Sequence, residues 1–168
     1  AYTQTIREYP ELDFEGGMER ILHQYLKIHE RLVDAEITDM SDIARKLAVI
    51  AKQLNLMDIT FEYEPVLKSI SKTLVRNAMA LMKAKTIEDM RLIFKALSKP
   101  IAVWVSTSEP LGVAVLYCPV ANGVWVQMHG PILNPYYGIC GTSLARRVPR
   151  QWRGASGDGA LPSNFKGL

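Results

Sequence analysis

Cys118, Met128, His129 and Cys140 fall within one 23-residue stretch (118–140) and offer two thiols, a thioether and an imidazole. These are soft or borderline donors, suited to Cu(I), Ag(I) or Zn(II) and poorly suited to Mg²⁺ or Ca²⁺. Cu(I), with its filled d shell, accepts two to four such ligands without a rigid geometry, so a loop is chemically adequate to hold it. Met128 and His129 are adjacent, and in a strand they point to opposite faces, so at most one of them joins a site if the strand persists there. The same cysteines have plainer uses. A Cys118–Cys140 disulfide closing a loop of this length would stabilise the fold by about 3 kcal/mol, and two inert buried thiols would do no chemistry at all. Counting cysteines does not choose among thiol pair, disulfide and metal site.

Other chemistries have little to stand on. Gly16-Gly17 lacks the third glycine and the preceding strand of a phosphate-binding loop, and neither His-Glu-x-x-His nor Cys-x-x-Cys occurs. None of the three histidines sits in a recognisable nucleophile context. His23 and His29 are six residues apart, not three or four, so they do not face each other on a helix and read as surface or boundary residues. The acidic residues are spread over helix faces as solvated charge. Thiol–disulfide exchange lacks a neighbouring second cysteine and an activating base. A binding module is expected rather than an enzyme.

The elements that must position the cysteines are mostly helical. Apolar residues at 3.6-residue spacing predict a helix from Asp13 onward (Met18, Ile21, Leu22, Tyr25, His29, Leu32, Val33). A second follows the Thr38-Asp39 cap (Ile43, Leu47, Ile50, Ala51, Leu54), and a third begins near Glu62 with Pro65 in its first turn. The third buries Tyr63, Val66, Leu67, Ile70, Leu74, Ala78 and Leu81. A fourth starts at Thr86, with Asp89 three residues on, and carries the seam Ile87, Met90, Phe94, Leu97, Ile101 and Trp104. Pro100 should kink this helix or end it near Ser98. Val113 to Tyr117 and Val124 to Val126 then alternate as strands around a tight Asn122-Gly123 turn, and an irregular loop through Pro131 and Pro135 leads to Cys140.

The expected architecture is therefore mainly α: an antiparallel four-helix bundle followed by a short β-hairpin and an irregular two-cysteine loop. Residues 1–11 read as a linker, 12–148 as the folded unit, and 149–168 as a disordered or non-native tail. An apolar content of 48% against 22% charge excludes wholesale disorder. A net charge of +3 is too weak to imply a nucleic-acid partner, and the Arg146, Arg147, Arg150, Arg153 cluster reads as solvated charge. No apolar run approaches the ~20 residues that span a bilayer, so direct membrane insertion is not expected. The chain begins at Ala1 without a basic-then-apolar leader, as a mature or excised piece would.

One series of motifs carries a resemblance. Cys118-Pro119-Val120-Ala121, then Trp125-Val126-Gln127, Asn134-Pro135-Tyr136-Tyr137-Gly138 and Cys140-Gly141 is similar to an uncharacterised domain of bacterial envelopes. That domain is found alone or attached to the periplasmic adaptor subunits of Cus-type copper and silver efflux systems. The resemblance covers roughly residues 12–142. Its usual pattern has Cys-Pro-Met and Met-x-x-Cys-Gly, whereas Val120 stands here for the first Met and Gly138-Ile139 leads into Cys140 without the second. The resemblance implies a periplasmic or envelope module that binds Cu(I) or Ag(I) through Cys118 and Cys140, with His129 or Met128 as third donor or with the cysteines alone, unless this member has lost metal binding. It would work with efflux adaptor or transporter subunits. The alternative is a structural interaction domain with the two cysteines as a disulfide. Asn134 and Pro135 are expected to make a turn, with Tyr136 and Tyr137 packed over the bundle end and Gly138 completing a loop that holds Cys140 near Cys118.

Overall fold

A computed structural model describes residues 13–54, 64–137 and 145–148, and for 64–68 the backbone alone. The expected linker (1–11) and tail (149–168), Tyr63, Gly138 and Cys140 lie outside the described residues, as do the side chains of Val66 and Leu67.

Helix α1 spans Phe14–Asp34. Asp13 caps it, its carboxylate accepting the Gly16 N–H at 2.8 Å, and Ala35 in the left-handed conformation closes it. The predicted stripe, including His29, is buried. Helix α2 (Met40–Leu54) buries its predicted stripe too. The Asp39 carboxylate, expected at the start of α2, instead takes a two-pronged hydrogen bond from Arg31 (2.8 and 3.0 Å) and staples the α1–α2 turn. Helix α3 spans Glu64–Lys83 and buries Leu74, Ala78 and Leu81.

Helix α4 (Ile87–Ser108) starts as predicted, with the Thr86 hydroxyl accepting the Asp89 N–H at 3.1 Å. Of the two outcomes expected at Pro100, the helix does not end near Ser98 but runs through the proline to Ser108. An internal proline costs about 3 kcal/mol. Beyond it, however, Ile101, Ala102, Trp104 and Val105 are all buried, and Glu15 accepts hydrogen bonds from Trp104 Nε1 (3.2 Å) and Ser108 Oγ (3.3 Å). Packing beyond the proline outweighs the local penalty.

The hairpin is part of a larger sheet. Strands β1 (Val113–Cys118) and β2 (Gly123–Met128) pair antiparallel, and β3 (Arg146–Arg147) adds on the far side of β1, giving the order β2-β1-β3. The Asn122-Gly123 pair does not form a two-residue turn. Cys118 lies opposite Gly123, so residues 119–122 make a four-residue connection, with Asn122 at positive φ and its side chain accepting the Tyr117 hydroxyl. Among the described residues the fold is thus four helices and a small three-stranded antiparallel sheet.

Helices α1 and α4 run antiparallel, linked at Glu15–Trp104, Tyr25–Ser98 and Leu32–Arg91, and both contact β2. Tyr25 of α1 and Tyr136 of the loop after β2 complete the outer edge of that strand. The Tyr25 hydroxyl accepts the Val126 N–H (3.0 Å) and meets Ser98 Oγ (2.7 Å). The Tyr136 hydroxyl donates to the Val124 carbonyl (2.6 Å). Burial pushes both phenols well above their usual range, so they stay protonated and keep the edge satisfied. Phe94 fills the space between them, stacked on Tyr25 with ring centroids 4.7 Å apart.

Candidate functional site

The sheet decides which candidate ligands meet. Cys118 ends β1 and is completely buried, its thiol free, with Sγ accepting the Ala121 N–H at 3.5 Å. Met128 ends β2 opposite Val113, at the other end of the same ladder. Five residue steps separate the two positions, about 17 Å at 3.4 Å per residue. Met128 and His129 are both exposed, and the His129 N–H donates to the Gly112 carbonyl (2.8 Å). The ladder thus puts neither beside Cys118, where His129 or Met128 was expected as third donor. The cause is antiparallel pairing: once the chain reverses, the residue near Cys118 is Gly123, and each further step along β2 moves away.

Met128 and His129 instead line an open groove of about 470 Å³ between α1 and the loop after β2, with His23 and His29 on its other wall. All three histidines of the chain therefore border one groove. Yet among the described residues no group of three or more His, Cys, Asp or Glu is arranged to hold a metal ion. His29, expected at a surface or boundary, is buried, and its Nε2–H donates to the Leu133 carbonyl (2.8 Å). A carbonyl only accepts, so this bond assigns the proton of the neutral ring to Nε2.

Burial holds the His29 imidazolium below its usual range, opposed by the Leu133 bond and by Glu30 and Asp34. The unfolded chain takes up this proton near pH 6.5, whereas the folded protein resists until lower pH. Stability is therefore expected to be flat above about pH 6.5 and to fall as the pH drops through the window below it. Urea midpoints at pH 7.5 and 5.5 measure the loss. His29→Gln should shrink the difference while lowering the midpoint at pH 7.5; an unchanged difference would contradict this.

The loop after β2 is held by the expected Asn134 turn and by Gln127 and Arg91, to which the sequence assigned no role. Gln127 accepts from Trp125 Nε1 (3.0 Å) and the Leu133 N–H (3.0 Å), and donates to the Pro131 carbonyl (2.8 Å). Arg91 Nε donates to the Pro135 carbonyl (3.0 Å). Asn134 is fully buried, and its side chain accepts the Tyr136 N–H (3.0 Å), the turn that an Asn-Pro pair favours. Tyr136 packs edge-on to Trp125, ring centroids 6.0 Å apart. Tyr137, expected to pack beside it, is 43% exposed. Hydrophobic alternation around a Trp signals the strand, but nothing in it signals that Gln127 and Arg91 tie down the following loop.

Cys118 is adjacent to this construction. Gly123, its ladder partner, stands directly against the Tyr136 ring, and Lys95 Nζ donates to the Ala121 carbonyl (3.0 Å), closing the 119–122 connection. On the other side of β1, Arg146 pairs with Tyr117, next to Cys118. The two flanks of the segment containing Cys140 thus end beside Cys118, while Cys140 itself lies outside the described residues.

Among the described residues no helix is long and apolar enough to cross a membrane. No curated protein and no solved structure matches the chain. A family model matches residues 21–111, from within α1 to two residues before β1, and so stops short of both cysteines. The chain belongs to the family described as a protein of unknown function, DUF3347.

Proposed function

We propose that this chain is an envelope module that binds Cu(I) or Ag(I) through the thiols of Cys118 and Cys140, and passes the ion on within a metal-efflux system. The observation that supports this reading is the double tether around Cys140. Tyr136 is anchored against Gly123 and Arg146 beside Cys118. Cys140 is only four steps along the chain from Tyr136 and six from Arg146. At no more than about 3.6 Å per residue, these tethers allow the second thiol to come within reach of the first. The Ala121 N–H bond to Cys118 Sγ favours the same reading, because an electron-rich, metal-bound sulfur accepts it more strongly than a neutral thiol.

Two thiolates suffice for Cu(I), so the ligand set no longer needs Met128 or His129. In this reading the four helices are an antiparallel bundle that carries the cysteine cassette at one end, and the module binds and delivers rather than catalyses. Its envelope location and its efflux adaptor or transporter partners rest on the resemblance of the cassette motifs. Nucleic acid and membrane insertion have no part in it.

The complete burial of Cys118 among core side chains favours a second reading, a structural interaction domain of an efflux adaptor that takes up no metal. Anaerobic Cu(I) titration against a competing chelator separates the two. One equivalent is expected in the reduced wild type and in Met128→Ala/His129→Ala, and none in Cys118→Ser or Cys140→Ser. Affinity should rise with pH, since both ligands must lose their protons. Cys140→Ser guards against a folding defect at the buried Cys118. Uptake by both cysteine variants equal to that of the wild type, or no uptake by the wild type, would overturn the two-thiol site and leave the interaction domain standing.

A further inference from the structure

We propose that the basic groove between α2 and α3 is a docking site for an acidic, amphipathic peptide segment of a partner protein. The groove holds about 610 Å³ and is lined by Lys52 of α2 and by Lys72, Val75, Arg76, Met79, Ala80 and Lys83 of α3. The α3 positions recur by three and four, so they share one face of the helix. That face is distinct from the one that Ser71, Leu74, Ala78 and Leu81 bury against the core.

Charge and shape together specify the occupant. Among the described residues four cations line the groove without a carboxylate, and none of the four forms an ion pair. This is not a reflection of overall composition, since the chain carries 20 basic and 17 acidic residues. Elsewhere its arginines find partners: Arg31 pairs with Asp39 and Arg45 with Asp42. Between the cations the floor is apolar, with Val75 and Ala80 half-buried and Met79 41% exposed. An adaptable methionine beneath a ring of cations suits a segment that carries carboxylates on either side of an apolar stripe.

Other anionic partners fit less well. A membrane surface is flat and needs apolar side chains that project into it, whereas this floor is recessed. Single-stranded nucleic acid needs stacking surfaces, and among the described residues no aromatic side chain lines the groove. A small free anion would engage the cationic rim and leave the floor wet.

The test uses the full chain and a fluorescein-labelled, 18-residue helical peptide with glutamates flanking a leucine stripe, read by fluorescence anisotropy at ~0.15 M salt, where only charges within about 8 Å act strongly. Lys72→Glu/Arg76→Glu should weaken binding by about tenfold or more, and Met79→Gln by about threefold. Arg45→Glu/Lys46→Glu makes the same charge change elsewhere on the exposed surface and should stay within about twofold of wild type. All these positions are exposed, so circular dichroism should show unaltered folding. Equal losses in the two charge-reversal variants, no saturable binding of the peptide, or tighter groove-dependent binding to phosphatidylglycerol vesicles than to the peptide would each overturn the proposal.

Discussion

Replacing Phe94 with alanine is expected to lower stability by about 3–5 kcal/mol. The ring is completely buried, stacked on Tyr25 (centroids 4.7 Å) and flanked by Tyr136 (6.3 Å) and His29 (6.5 Å). It is thus shared by α1, α4 and the loop after β2, and the cavity left by its removal is walled by side chains that are each fixed elsewhere. Tyr25 is tied to Ser98 and Val126, Tyr136 to Val124, and His29 to Leu133. Walls held this way collapse poorly, which puts the loss toward the upper end of the range. Domains of this size have about 5–15 kcal/mol in total, so the variant should be marginal. Urea unfolding followed by Trp fluorescence should show a lower midpoint at an unchanged slope. Leu92→Ala, two residues away but 64% exposed, should stay within about 0.5 kcal/mol. A loss below about 1 kcal/mol at Phe94 would mean that the aromatic cluster does not hold the layers together.

The second large effect is expected at Gly123, where alanine should cost about 1–3 kcal/mol by overpacking. A Cβ there would stand 2.8 and 2.9 Å from Tyr136 ring carbons and 3.0 Å from Lys95 Cδ. Gly123 is not among the positive-φ glycines, so the cost is steric and not a matter of backbone freedom. Neither neighbour moves freely. The Tyr136 ring is held by its hydroxyl and by Trp125, and Lys95 holds the Ala121 carbonyl. Displacing Tyr136 loosens one of the two tethers around Cys140, so Cu(I) affinity should fall together with stability. Chelator competition and urea unfolding on the same variant measure both; full affinity at reduced stability would separate the cassette from the tyrosine anchor.

Much of the helical part was legible because burial follows the 3.6-residue period. Met18 through Val33, Ile43 through Leu54, and Met90 through Trp104 all fall where their spacing puts them. The departures have physical causes beyond local sequence. Pro100 stays inside α4 because Trp104 and Val105 find buried places beyond it. Strand β3 has two residues, too few to show an alternation, and only its pairing with Leu116 and Tyr117 defines it. His29 looks like one more residue on a helix, and its hydrogen bond to Leu133, 104 residues away, is invisible without the fold.

The candidate site shows the same limit more sharply. Met128 is ten steps along the chain from Cys118, and that proximity suggested shared ligation. Register reverses the inference: the ladder that brings Gly123 beside Cys118 carries Met128 to its far end. Donor types were legible, because sulfur and imidazole chemistry belongs to the residues themselves. Convergence was not, because it depends on a four-residue connection and on anchors such as Tyr136 and Arg91.

X-ray absorption at the copper edge, on the reduced wild-type protein loaded with one equivalent of Cu(I), tests the two-thiol site most directly. Sulfur alone is expected in the first shell, with a spectrum unchanged in Met128→Ala/His129→Ala. Imidazole scattering lost in that variant, or a shell without sulfur, would contradict it.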